Sequence, residues 1–357
     1  MKPKIFKQKP SGLTVNRSVD AYNSTLRELF FLDYPGIKIQ NSEYESLFQS
    51  WKTKTIVPKI WLYYPSKKTL IATVGENEFF KLRTARNKNL ITSKEQISYR
   101  NLSVGIAGLS VGSSILSALV ISGGPRNIKL ADFDSLELTN LNRIQASLLD
   151  IGRPKHEIAA ERVWESDPFA KLQLFSQGIN KKNINKFFLG TPRLNVFIDE
   201  MDNIEMKLHS RIMARKYKIP VLMATDNGDT VTLDVERFDQ EPKRKLFHGV
   251  VGDIEKLNFN KFSYQEWLAL ATRIVGHKHL TPKMRLSLRS IGKNIAAVPQ
   301  LGTTAMMAGS SVSLALRKIA NNEKLTSGRY VISLEKHFIA SKKLPTKPNK
   351  FKHTIKI

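Results

Sequence analysis

The sequence predicts an α/β fold: a doubly wound, mostly parallel sheet preceded by a small mixed α/β segment. Three observations predict it. Strand-like and helix-like apolar runs alternate from Tyr99 to about Leu233, the pattern of a sheet wound with helices on both faces. Small residues, Gly108 and Gly112, stand where the first strand of that region gives way to a helix. Two strands end in acidic residues, which places carboxylates at strand C-terminal ends, where open α/β sheets bind ligands.

The elements follow in order. Apolar residues from Leu26 to Leu32 indicate a short helix, and KIWLYYPSKKTLIATV (59–74) reads as two strands around a Pro65-Ser66 turn. NLSVGIAGL is a strand entering a glycine turn. SSILSALVISG is an apolar helix ended by Gly123-Gly124. NIKLADFD is a second strand, KHEIAAERVWESD a helix, LQLFSQ and LNVFIDEMD strands, IEMKLHSRIMARKYK a helix and IPVLMAT a strand. Beyond Asp234 the pattern weakens to two helices, WLALATRIVGHKH and TAMMAGSSVSLALRKIANNE, and a late strand, RYVISLEKHFI. The expected organisation is a mixed segment over 1–98, a nucleotide-binding domain over 99–340 and a basic, mobile tail over 341–357, rich in Lys and Pro.

Composition narrows the function. The 357 residues are 41% hydrophobic and 25% charged, ordinary for a globular chain with a sizeable core. There is no cysteine, which excludes disulfides, thiolate nucleophiles and Cys-type zinc sites within these residues. The formal charge is +26, from 57 Lys+Arg against 31 Asp+Glu, but the basic residues are dispersed; they read as solvated faces, with nucleic acid as the alternative partner. The basic N-terminus has no apolar run behind it, so no secretory signal is expected. The long uncharged stretch Asn294–Leu316 contains Pro299, Gln300 and many Ser and Thr; it reads as a buried segment rather than a membrane span.

Four groups of residues carry chemistry. The turn Gly108-Leu109-Ser110-Val111-Gly112-Ser113 opens a helix, and small residues there let backbone N–H groups approach a phosphate or sugar. Asp132 and Asp134 close the next strand, where a dinucleotide-type, Rossmann-like fold keeps its ribose-binding acid. Next come TNLNR (139–143) and GRPK (152–155). A nicotinamide site has no need of the cations Arg143 and Lys155, whereas a triphosphate does. DEMDN (199–203) ends a further strand. Asp202, with Asn203 beside it, is the candidate ligand for Mg2+ held between protein and phosphate, and a helix cap is the alternative for an acid there.

In this order GLSVGSS, LADFDSLELTNLNRI, GRPK and IDEMDN resemble the ThiF/MoeB-like adenylyltransferases, relatives of ubiquitin-activating enzymes. The resemblance implies an ATP- and Mg2+-dependent enzyme that adenylates a carboxylate, often the C-terminus of a peptide or ubiquitin-like carrier, and releases pyrophosphate. It makes Asp132 the ribose acid and Asn140, Asn142 and Arg143 the phosphate loop. Lys155 becomes the phosphate lysine, Asp202 the metal-linked acid, and Gly178-Ile179 the stretch beside the adenine. YYP, LRTARN, IPVLMAT, DVERFD and VPQLG extend the likeness to a bacterial ThiF-like subfamily with its own N-terminal segment. An arginine before the nucleotide domain, Arg83 or Arg86, is expected to reach the phosphates, in some relatives from the other subunit of a homodimer. Ser110, Val111 and Ser113 stand where the family's loop carries glycines, so a less open loop is expected. Without cysteine the reaction should stop short of a thioester. A modified tRNA base as the carboxylate substrate and a non-catalytic nucleotide-binding subunit are the alternatives, and a cytoplasmic location is expected. His277-Lys278-His279 has no nearby carboxylate and reads as a solvated helix end; Glu236 and Arg237 read as a structural pair or an entrance rim.

Overall fold

A computed structural model describes residues 1–252, 254, 262–276 and 280–338. The N-terminal segment runs β1 (Lys4–Phe6), β2 (Arg17–Asp20), α1 (Tyr22–Asp33), α2 (Tyr44–Lys54), β3 (Lys59–Tyr64), β4 (Thr69–Val74), α3 (Glu76–Arg83) and α4 (Ser93–Arg100). Its sheet has the order β1-β3-β4-β2, with β2 parallel to β4 and the other pairs antiparallel. In α1, Leu26, Leu29 and Phe30 recur at helical spacing and are buried against Phe48 and Trp51 of α2. The expected hairpin around Pro65 is present, as β3 and β4.

The larger sheet is built from β5 (Ser103–Ala107), β6 (Asn127–Ala131), β7 (Lys171–Phe175), β8 (Val196–Asp199), β9 (Val221–Asp226), β10 (Thr230–Glu236) and β11 (Gly328–Ser333). The order is β11-β10-β9-β8-β5-β6-β7. The five strands β9-β8-β5-β6-β7 are parallel, and β10 and β11 extend them antiparallel. The connecting helices are α5 (Val111–Ile121), α6 (Lys155–Ser166), α7 (Ile184–Leu189) and α8 (Ile204–Lys216). Then come α9 (Tyr264–Val275), α10 (Pro282–Ser290) and α11 (Gly302–Ala320).

Helices on both faces explain why every residue of β5 is buried. One face packs Val104 and Ile106 with Ile115, Val163 and Val312. The other packs Phe187, Phe188 and Phe197 with Leu208 and Phe247. Each fully buried side chain of this kind stabilises by roughly 1.5–3 kcal/mol. Because β6 and β7 lie to one side of β5 and β8 and β9 to the other, the strand order reverses beside β5. That switch point opens a crevice at the strand C-terminal ends.

The structure differs from expectation in several places. Within Asn294–Leu316 only the helical part is buried, and on one face: Thr304, Ala305, Ala308, Val312 and Leu316 are covered, while Asn294, Ala296, Ala297 and Val298 are exposed. Among the described residues no helix is long and apolar enough to cross a membrane. Strand β10 was not legible as a strand. Arg237 pairs with Asp239 while Glu236 pairs with Arg211, so Glu236 and Arg237 are not partners. The expected tail over 341–357 and His277-Lys278-His279 lie outside the described residues.

Candidate functional site

The crevice beside β5 holds a cavity of about 170 Å3, bounded by Gly108, Ser110, Asp132, Asp134, Arg143 and Lys155 on the β5–β6 side. Gly178 and Ile179 close one end, and Glu200, Met201, Asp202 and Asn203 line the β8 side. Of the residues expected at a nucleotide, Val111, Gly112, Asn140 and Asn142 do not line it.

Gly108 is fixed by geometry. It sits at φ +87°, and a Cβ there would lie 2.2 Å from the Glu200 carbonyl oxygen. The next backbone N–H, of Leu109, donates to Asp132 Oδ2 at 2.6 Å, and Asp134 N–H donates to Asp132 Oδ1 at 2.8 Å. Asp132 therefore clamps the glycine turn to the end of β6. Burial pushes its carboxyl above the usual range, and the two N–H donors act in the opposite direction. Each carboxylate oxygen still has acceptor capacity for a ribose hydroxyl.

Ser110 is where the loop departs most usefully from a glycine pattern. Arg143 Nε donates to Ser110 Oγ at 2.9 Å, and its Nη1 donates to Asn142 Oδ1 at 2.9 Å and to the Thr139 carbonyl at 3.3 Å. The serine thus holds the arginine over the turn. Asn142 in turn donates to the Gln300 carbonyl at 2.7 Å, just before α11, and Asn140 accepts the Glu137 N–H at 3.1 Å. The two asparagines build the loop that carries Arg143 rather than lining the cavity.

Lys155 opens α6 and is buried, with Nζ 2.9 Å from Asp134 Oδ2. Asp202 is exposed just beyond β8 and makes no hydrogen bond or ion pair among the described residues, although it lies within electrostatic reach of Arg143. Asn203 caps α8 by accepting the Met206 N–H at 2.9 Å. Asp199 is no cap. It is fully buried, paired with Arg211 and with Lys207 at 3.2 Å, and Arg211 also holds Glu236 at 2.6 Å. This buried network braces the loop that presents Asp202. Among the described residues no cluster of three or more His, Asp or Glu could hold a metal; an ion bound by one carboxylate and phosphate oxygens requires none.

Arg83 does not reach the cavity, because Asp167 at 3.0 Å and the Val120 carbonyl at 2.7 Å hold it against α5. Arg86 is exposed and makes no hydrogen bond or ion pair among the described residues. A larger groove of about 740 Å3 runs between α5 and α6 and meets the smaller cavity at Leu109 and Lys155. The carboxylates and cations Asp132, Asp134, Arg143, Lys155 and Asp202 converge on the smaller one.

Three residues went unnoticed in the sequence. Phe133, 73% exposed, stands between the two acids and overhangs Gly178; its place inside DFD was the available signal. Glu200 lines the cavity and accepts the Ala224 N–H at 2.8 Å. Burial holds its carboxyl well above the usual range, against the pull of Lys207. Asp226 ends β9, and both its carboxylate oxygens are shielded from solvent with no hydrogen-bond partner among the described residues. Burial pushes it up to about 6, opposed by Arg143.

Comparison with known proteins identifies the family. The ThiF family pattern matches residues 84–351. An uncharacterized protein of Mycobacterium tuberculosis is 35% identical over 76% of this chain, which spans only 37% of that protein's length. The tRNA threonylcarbamoyladenosine dehydratase of Bacillus subtilis is 29% identical, over 45% of this chain and 66% of its own length. The molybdopterin-synthase adenylyltransferase of Haemophilus influenzae is 25% identical, over 62% and 85%. Among solved structures, the microcin C7 biosynthetic enzyme MccB, in complex with N-formylated MccA, shares the fold with a TM-score of 0.51 at 14% identity, covering 87% of this chain and 84% of that one. From the glycine turn through the DEMDN loop, and over three quarters of its length, the chain belongs to the ThiF family.

Proposed function

We propose that this chain binds ATP with Mg2+ and adenylates a carboxylate, with release of pyrophosphate. The observation that carries the reading is the convergence of Arg143, Lys155 and Asp202 on one cavity beside the Gly108 turn. A hydride-transfer site leaves those two cations without a task. The names of the relatives support it, since one is an adenylyltransferase.

The residues act as follows. Asp132 orients the ribose while its backbone bonds hold the turn open to the α-phosphate. Lys155 exchanges Asp134 for a phosphate oxygen, and Arg143 turns from Ser110 toward the phosphates. The two cations offset charge as it accumulates on the departing pyrophosphate. Asp202 would hold Mg2+, which when bound neutralises phosphate charge and orients the leaving group. Arg86, unpaired among the described residues, fits the role of an arginine reaching the phosphates of a second subunit in a homodimer. The acceptor is the C-terminus of a peptide or ubiquitin-like carrier, in the cytoplasm.

The test is ATP–pyrophosphate exchange driven by a pool of peptides with free C-termini. We expect exchange that falls at least 100-fold in Arg143→Ala and in Asp202→Ala, the order of effect of removing one transition-state charge contact. Exchange that survives both substitutions would sink the assignment. A net charge of +26 favours a second reading, in which the carboxylate sits on a modified tRNA base. That reading predicts filter binding of bulk tRNA that weakens steeply with salt; no binding at low salt removes it.

A further inference from the structure

The C-terminal edge of the sheet reads, in strand order, as three acids and a turn: Asp132 beyond β6, the Gly108 turn beyond β5, Asp202 beyond β8 and Asp226 at the end of β9. The first three belong to the nucleotide. With ribose over β6 and phosphates over the turn and β8, the reacting acyl group falls over β8 and β9. Asp226 stands there, within electrostatic reach of Arg143 and of Glu200.

Unlike the other shielded acids at this edge, Asp226 has no partner among the described residues; Asp202, also without one, is exposed. Asp132 holds two backbone N–H groups, Asp134 holds Lys155, and Asp199 holds Arg211 and Lys207. Among the described residues neither oxygen of Asp226 accepts a hydrogen bond, and both are shielded from solvent. The segment around it is not loose. Asn227 is buried and accepts the Thr281 N–H at 3.0 Å, and Thr304 Oγ1 donates to the Gly228 carbonyl. A rigid turn therefore keeps an unpaired carboxylate in place, and an unsatisfied buried charge of this kind costs stability unless a ligand uses it.

We propose that Asp226 is the proton acceptor for the nucleophile that resolves the acyl-adenylate. This rests on the adenylation reading above. With no thiol in these 357 residues, the nucleophile comes from a partner or a small molecule, and we take it to be an amine or a hydroxyl, which must shed a proton. The nucleophile's heavy atom bonds to the acyl carbon as its N–H or O–H proton passes to a carboxylate oxygen of Asp226. The bond from acyl carbon to phosphate oxygen breaks, and AMP leaves with the electron pair. Shielding from bulk water suits the task, because water admitted at this point would hydrolyse the adenylate.

The experiment uses the full chain with the peptide pool as acceptor and two nucleophile probes, glycinamide and hydroxylamine. Hydroxylamine attacks adenylates with little help from a base. In Asp226→Asn, we expect glycinamide turnover relative to pyrophosphate exchange to fall at least tenfold, the lower bound for losing a general base. The same ratio with hydroxylamine should change less than threefold, and Asp226→Glu should recover part of the glycinamide turnover. Equal losses with both probes, or no loss with either, overturns the proposal. Absence of exchange in the parent chain with every peptide defeats the peptide-activating reading itself, and the base assignment falls with it.

Discussion

The two sides of the crevice are built differently. On the β5–β6 side every charged group already has a protein partner: Asp132 is bonded to the turn, Lys155 to Asp134 and Arg143 to Ser110 and Asn142. On the β8–β9 side Asp202 and Asp226 have none among the described residues. The first arrangement is a pre-set cradle whose contacts are exchanged for phosphate and ribose contacts at little reorganisation. The second holds charge in readiness for groups that arrive only with substrate. Placing the unpaired charges at the reacting end agrees with the general pattern that strain and unsatisfied groups gather where chemistry occurs.

The comparison can be broken first at its support. Arg211→Leu leaves buried Asp199 with Lys207 as its remaining cation and buried Glu236 with no cation among the described residues, behind the Asp202 loop. It should destabilise the fold by about 3–5 kcal/mol in urea unfolding, as loss of one partner in a buried pair does. A loss below about 1 kcal/mol would mean that the network does not brace the site. Gly108→Ala comes next. The new Cβ meets the Glu200 backbone at a left-handed φ, and we expect a loss of about 2–4 kcal/mol from strain and displacement.

Asp226→Asn should act in the opposite direction, and its sign follows from linkage. Asp226 is raised from 3.8 to about 6 in the folded chain. Its carboxyl therefore costs nothing below about pH 4, where both states are protonated, and costs most above about pH 6. Removing the charge should stabilise the protein by about 1–2 kcal/mol at pH 7.5, less than the full linkage value because the new amide is itself unpaired. The gain should vanish toward pH 4. A gain independent of pH, measured by urea unfolding at both values, would show that the carboxylate is not the origin.

Ser110→Gly is the mildest probe. It removes the hydroxyl that holds Arg143 and restores a glycine to the loop. ATP affinity should shift by less than about fivefold, within about 1 kcal/mol for one partly buried hydrogen bond. A collapse of affinity would make the serine a ligand contact rather than a tether.

Much of this was legible in the sequence because it was local. Apolar runs of strand length, the Gly108 turn and the acids that close β6 and β8 are read within a few residues of one another. So were Arg143 and Lys155, each in a short motif that the fold delivers to the cavity. What escaped depended on distant partners. Strand β10 carries Asp234 and Glu236 fully inside, which a strand tolerates only because Arg329 and Arg211 arrive from elsewhere in the chain. Asp226 was not distinguished because spacing alone cannot show which of several acids ends without a partner. Asn140 and Asn142 stand in the loop that carries Arg143, but the Asn140 side chain holds that loop's own backbone and the Asn142 side chain ties it to the Gln300 carbonyl before α11.

Titration calorimetry of the full chain with ATP and Mg2+, set beside NAD, tests the nucleotide reading most directly. It should give saturable binding of ATP that weakens at least tenfold in Lys155→Ala, about 1.4 kcal/mol for one charge-assisted hydrogen bond, and no comparable binding of NAD. Tight binding of NAD with none of ATP, or ATP binding indifferent to Lys155, would contradict it.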